Sequence, residues 1–175
     1  MSRMVTWLQA RERRMFCWVN QRMQHGILDR LFGTLTHLGG ATASIMIALC
    51  FAIFAQGSWR LAGIQSCIAL AASHIPVAIM KRKYPRLRPY LVLPDTNTCK
   101  NPLTDHSFPS GHTTAVFSVA LPFMFLSPWA ATALLPLASL VGLSRIYLGL
   151  HYPSDCMAGA FIGTVTALGT VAFFG

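Results

Sequence analysis

Three short clusters hold most of the residues that could do acid–base, nucleophilic or anion-binding work. They are Lys81-Arg82-Lys83-Tyr84-Pro85-Arg86-Leu87-Arg88-Pro89, then Pro109-Ser110-Gly111-His112, then Ser144-Arg145 followed by His151 and Asp155. Lys81, Arg88 and Arg145 come from separate segments, and the arginine fork matches phosphate oxygens. Converging, they would clamp one phosphoryl group. Pro109-Ser110-Gly111-His112 reads as a helix start, where proline and serine are favoured and glycine admits a close ligand. The backbone N–H groups of Ser110 and Gly111 are expected to add anion donors there. If Pro153 is the first residue of another helix, Asp155 in its first turn can reach back to His151. It would then fix a tautomer and stabilise an imidazolium, or it would only cap its own helix. With a phosphate between His112 and His151, one histidine can attack phosphorus while the other protonates the departing oxygen. His25, His37, His74 and His106 read as structural, with His106 near enough in sequence to line the site.

These clusters need a scaffold, and composition says what kind. Of 175 residues, 54% are hydrophobic and 11% charged, with a mean hydropathy of +0.50. Fourteen Lys and Arg stand against five Asp and Glu, for a net charge of +9. Disorder and an ordinary soluble domain are excluded, and polar residues are too scarce to cover the solvated basic face a nucleic-acid binder needs. An all-α membrane bundle fits. A bilayer core takes about 20 helical residues, and five spans are expected: 31–54, 59–80, 111–126, 129–147 and 153–174. Ala158, Gly159, Gly163 and Gly169 would let the last helix pack closely. Ahead of the spans, Met4, Trp7, Leu8, Met15, Trp18 and Val19 recur at helical spacing among arginines. Residues 1–28 therefore read as an interfacial amphipathic helix, and 29–175 as a single helical core. The cysteines are odd in number with no CxxC pair, so no disulfide framework is expected, although a Cys99–Cys156 bridge stays open.

Counting crossings places every basic residue except Arg60 on one membrane face, together with all three clusters. One face holds the chemistry.

The pattern Lys81-x6-Arg88-Pro89, Pro109-Ser110-Gly111-His112 and Ser144-Arg145-x5-His151-x3-Asp155 closely resembles the type 2 phosphatidic acid phosphatase superfamily. The resemblance implies a helical membrane phosphatase in which His151 is the nucleophile, Asp155 its orienting partner and His112 the general acid. Lys81, Arg88, Ser110, Gly111 and Arg145 would hold the phosphate oxygens. It implies no metal and no cofactor, and near the site only Asp95, Asp105 and Asp155 could serve as carboxylate ligands. The expected substrate is a lipid phosphate or diphosphate in the bilayer, with undecaprenyl diphosphate placed first. Phosphatidic acid, phosphatidylglycerol phosphate and transfer to another hydroxyl are the alternatives. A non-enzymatic protein binding anionic lipid through its arginines is a rival of another class. Family precedent places the site on the extracytoplasmic side of the cell membrane, whereas the six N-terminal arginines, by the positive-inside rule, point to the cytoplasm.

Overall fold

The computed structural model describes residues 3–99 and 102–174; Lys100, counted above with the basic face, lies outside the described residues. The chain runs as α1 (Arg3–Cys17), a π-helical turn (Trp18–Arg22), α2 (Gly26–Leu35), a 3-10 turn (Thr36–Gly39) and α3 (Ala41–Phe54). It continues through α4 (Gly57–Lys83), the single turn α5 (Pro89–Val92), α6 (Gly111–Met124), α7 (Pro128–Tyr147) and α8 (Pro153–Phe174). The described residues are all-helical, as composition requires of a chain that must satisfy its backbone inside lipid.

α6 is the central element, and nine of its residues are buried, from Thr113 to Phe123. It packs against α4, α7 and α8. The closest of these contacts depends on two of the four expected small residues: a Cβ on Gly159 would stand 2.5 Å from the Ser110 carbonyl oxygen, and one on Gly163 2.5 Å from that of Thr114. Gly169 faces open space. The bundle is more polar inside than outside. Ser66 Oγ donates to the Val119 carbonyl at 2.8 Å and Ser118 Oγ to Ser73 Oγ at 3.0 Å, while Ile53, Ile75, Met157 and Phe161 point outward. That inversion suits a hydrocarbon solvent, in which interhelical hydrogen bonds and close packing hold helices together.

Two spans differ from expectation. The first is not one straight helix: Gly40 is extended at ψ 153°, its N–H bonds back to the His37 carbonyl, and the segments on either side are bent by 57°. α4, α7 and α8 are each long and apolar enough to cross a membrane alone, and the bent pair makes a fourth crossing if it is one broken span rather than a re-entrant loop. α6, with 14 residues, is about 21 Å long and falls short of a full span. Enclosed by three other helices, it has little lipid to match in thickness. α1 leaves Met4, Trp7, Leu8 and Met15 exposed, and Phe16 carries the chain into the core beside Tyr152. All five cysteines are free, Cys99 exposed and Cys156 buried, so the Cys99–Cys156 bridge is not formed.

At one end of the bundle Phe51, Trp59 and Phe123 stack together. At the other end the three clusters meet.

Candidate active site

Two helix starts, the ends of α4 and α7 and two connections make the polar end. Ser110 caps α6 by accepting from the Thr113 N–H, and Pro153 opens α8. The two starts are tied together, because the Ser110 N–H donates to the Asp155 carbonyl at 3.0 Å. This corrects one expectation: the Ser110 N–H is already engaged and has no capacity left for an anion. Only the Ser110 hydroxyl remains from that residue, beside Gly111, whose Cβ position is open space.

His151 sits in the 148–152 connection and is 1% exposed. Its Nε2 lies 3.2 Å from an Arg88 nitrogen, and since arginine only donates, Nε2 must carry a lone pair. Its Nδ1–H then faces Ser107 Oγ at 3.5 Å and Asp155 Oδ2 at 3.7 Å, the latter longer than a hydrogen bond. Asp155 does both things open to it in the sequence. Oδ2 accepts from the Tyr152 N–H at 2.8 Å, a cap on α8, and from Ser107 Oγ at 2.5 Å, while also facing the imidazole. Burial pushes the His151 ring down to about 4, Arg88 and Arg145 push the same way, and Asp155 works against them. The ring is therefore neutral near pH 7, as a nitrogen nucleophile must be.

The cations are unequal. Arg88 is buried with four of its five N–H donors engaged among the described residues, which leaves one on NH2: besides His151 it donates to the Leu150 carbonyl at 2.9 Å and the Asp105 carbonyl at 2.7 Å, and pairs with Asp105 Oδ1 at 2.6 Å. Lys81 pairs with the other Asp105 oxygen and donates to the His106 carbonyl at 3.1 Å. Burial raises the Asp105 carboxyl, yet the hydrogen bonds from Lys81 and Arg88 outweigh it and hold it at about 2. Asp105 thus stands where an anion would, across two of the three expected clamp residues. Arg145 differs. Its NH1 donates to Thr36 Oγ1 at 2.7 Å, but its Nε and NH2 are buried with no partner among the described residues. A buried unpaired donor costs about 1–3 kcal/mol, so this guanidinium is shaped for a guest. His112 is half-buried, within electrostatic range of Arg145, His151 and Arg88, and no side-chain hydrogen bond to it occurs among the described residues. One turn further along α6 from His112, Val116 begins an apolar cavity of about 320 Å³ that reaches Phe123, Phe51 and Leu134 between α3 and α7.

All eight expected site residues therefore lie at this end. Sequence reasoning missed Asp105 as a partner of the clamp, Ser107 and Thr36 as supports, and the pair Glu12–Arg86 behind Asp155. Glu12 carried a signal, being the lone acid in an arginine-rich helix, whereas Ser107 and Thr36 carried none.

Similarity to known proteins agrees with this geometry. The chain is 37% identical over 109 residues to the bacitracin transport permease protein BcrC of Bacillus licheniformis, covering 62% of this chain and 54% of that one. It is 32% identical over 106 residues to an undecaprenyl-diphosphatase of Sulfolobus acidocaldarius, covering 60% and 52%. The chain spans about half the length of the curated relatives it matches. The crystal structure of Aquifex aeolicus LpxE superposes with a TM-score of 0.82 at 27% identity, over 91% of this chain and 93% of that one. The profile of the PAP2 superfamily matches residues 62–175, which contain every one of the three clusters: the chain belongs to the PAP2 superfamily.

Proposed function

We propose that this membrane protein is a metal-independent lipid phosphatase that acts through a phosphohistidine on His151, with undecaprenyl diphosphate as its substrate. The observation that carries the reading is the joint state of His151 and Arg145: a neutral, oriented Nε2 within electrostatic range of a buried guanidinium that keeps two nitrogens without partners among the described residues. Nε2 attacks the terminal phosphorus, forming an N–P bond as the P–O bond to the lipid phosphate breaks. His112 gives its proton to that departing oxygen. Arg145, Lys81, Arg88, the Gly111 N–H and the Ser110 hydroxyl stabilise the equatorial oxygens, and Asp155 steadies the His151 ring. Water then attacks the phosphohistidine, His112 takes up the water's proton, and inorganic phosphate leaves.

The polyprenyl reading draws on the Sulfolobus relative, named for that substrate, and on the apolar cavity beyond His112, where a departing hydrocarbon chain would lie. The α1 arginines and exposed Trp7 suit an interfacial helix on anionic lipid, with residues 29–175 as one phosphatase core. Family precedent favours an extracytoplasmic site. Labelling a variant that keeps only Cys99 tests this: modification in intact cells is expected, and modification only after permeabilisation contradicts it.

Phosphate release from purified protein in detergent with a chelator tests the activity against undecaprenyl diphosphate, phosphatidic acid and phosphatidylglycerol phosphate. Undecaprenyl diphosphate is expected to give the highest kcat/KM. Preference for either phospholipid overturns the substrate, and loss of all turnover in chelator overturns the metal-free chemistry.

A further inference from the structure

We propose that Glu12 and Arg86 are positioning residues for the transfer step: Arg86, held from outside by Glu12, fixes the Asp155 carboxylate and through it the His151 ring. The inference rests on the phosphohistidine reading above.

The Asp155 carboxylate is fully buried, and its two oxygens have different duties. Oδ2 holds the Tyr152 N–H and Ser107 and faces His151. Oδ1 has one partner, Arg86 NH1 at 2.8 Å. The terminal torsion of an aspartate is broad and two-fold, so an unpartnered Oδ1 would let the carboxylate turn and carry Oδ2 away from Nδ1. Arg86 prevents that only if it is itself fixed. It lies in the connection between α4 and α5, half-buried, and is held on three sides. The Tyr152 ring lies 3.9 Å from its guanidinium carbon, Ser154 Oγ accepts from NH1 at 2.8 Å, and Glu12 Oε2 accepts from NH2 at 2.6 Å.

Glu12 is built for this contact. From Arg3 to Met15 it is the only position that is not exposed, and it is the only acid of α1, beside Arg11, Arg13 and Arg14. Its second oxygen accepts from the Ser154 N–H at 3.0 Å and from the Ser154 hydroxyl. One carboxylate thus grips both Arg86 and the first turn of α8. Bridging two carboxylates through separate nitrogens needs the guanidinium fork, which lysine lacks. The helix that exposes Trp7 and Met4 is in this way joined to the reacting imidazole by three consecutive contacts: Glu12 to Arg86, Arg86 to Asp155, Asp155 to His151.

Steady-state hydrolysis of undecaprenyl diphosphate in detergent micelles, across a range of pH, compares the parent with Glu12→Gln, Arg86→Gln, the double variant and His151→Ala. In Glu12→Gln the amide oxygen still accepts from Ser154, so only the grip on Arg86 is lost. Each single variant is expected to lower kcat about tenfold, with KM within about twofold. The double variant should be no slower than Arg86→Gln alone, since Glu12 acts only through Arg86. The acid limb of kcat/KM separates positioning from general loosening. Arg88, Arg145 and His112 face His151 unchanged in both variants, and Asp155 keeps its charge and its place although its carboxylate is freer to turn. Removing the Arg86 charge leaves Asp155 less neutralised and moves the limb to higher pH, whereas removing the Glu12 charge moves it lower. Loosened packing would not move the two in opposite directions. If Arg86→Gln does not fold, Glu12→Gln decides alone by its kcat and limb. Parent kcat and an unmoved limb in Glu12→Gln, with His151→Ala inactive, overturn the positioning role and leave the phosphohistidine intact. Parent turnover by His151→Ala overturns both.

Discussion

The two histidines sit at one end of the bundle in opposite states of readiness. Around His151 every strong donor and acceptor is spoken for: Arg88 on Nε2, Asp155 and Ser107 beside Nδ1, and Arg86 and the Tyr152 N–H on Asp155. Around His112 the protein leaves polar capacity unspent. Among the described residues Arg145 keeps two buried nitrogens without partners, and the α6 start is open at Gly111. The difference teaches a division of labour. The orientation of His151, the proposed nucleophile, is decided by folding, whereas the proposed anion seat is left incomplete, for a phosphate to complete. Preorganised donors aimed at developing charge are the largest source of catalytic power in such sites.

Four variants and one change of condition would break or sharpen that contrast. The largest effect belongs to the prewired side: His151→Ala should reduce phosphate release to the blank, because the proposed N–P bond forms at its Nε2. On the open side, His112→Ala is expected to lower kcat by about 10²–10⁴, with less loss for substrates whose leaving group is a weaker base. Arg145→Met should cost about 10²–10³ in kcat/KM while leaving the thermal midpoint unchanged or raised, since it removes two unsatisfied buried donors. Loss of both activity and stability would show that Arg145 is a structural residue. The smallest effect is expected at Asp105→Asn. By loosening the tie on Lys81 and Arg88 it should lower KM about two- to fivefold, and a raised KM would mean that Asp105 orients the clamp instead of competing for it. The pH dependence follows from the same contrast. A free histidine titrates near 6.5, but His151 is held at about 4. The protonated, non-nucleophilic form therefore gains ground only as pH falls towards 4, and the acid limb of kcat/KM should lie there. Since the unfolded chain binds that proton near 6.5 and the folded chain does not until about 4, stability is lost progressively across this window as pH falls.

How much of this was legible in the sequence depends on how local each feature is. The three clusters and the helix starts at Ser110 and Pro153 follow from residue type and spacing, and the structure brings them together at one end of the bundle. So does the apolar exterior, which follows from composition. What escaped was set by long-range folding of the polar 84–110 connection. Asp105 was noted only as a carboxylate near the site, because nothing local says that it lies against Lys81 and Arg88. The Ser110 N–H was read as free because its acceptor, the Asp155 carbonyl, lies 45 residues away on another helix. The break at Gly40 and the short α6 were hidden by continuous hydropathy, which measures apolar content and is blind to a 3-10 turn or to burial by neighbouring helices.

The central claim is a covalent phosphate on His151, and rapid quenching of the protein with substrate labelled in its terminal phosphate tests it most directly. The account predicts an acid-labile, alkali-stable label within milliseconds to seconds, on the peptide carrying His151, and its absence in His151→Ala. Label on any other residue, or turnover by His151→Ala at the parent rate, would contradict it.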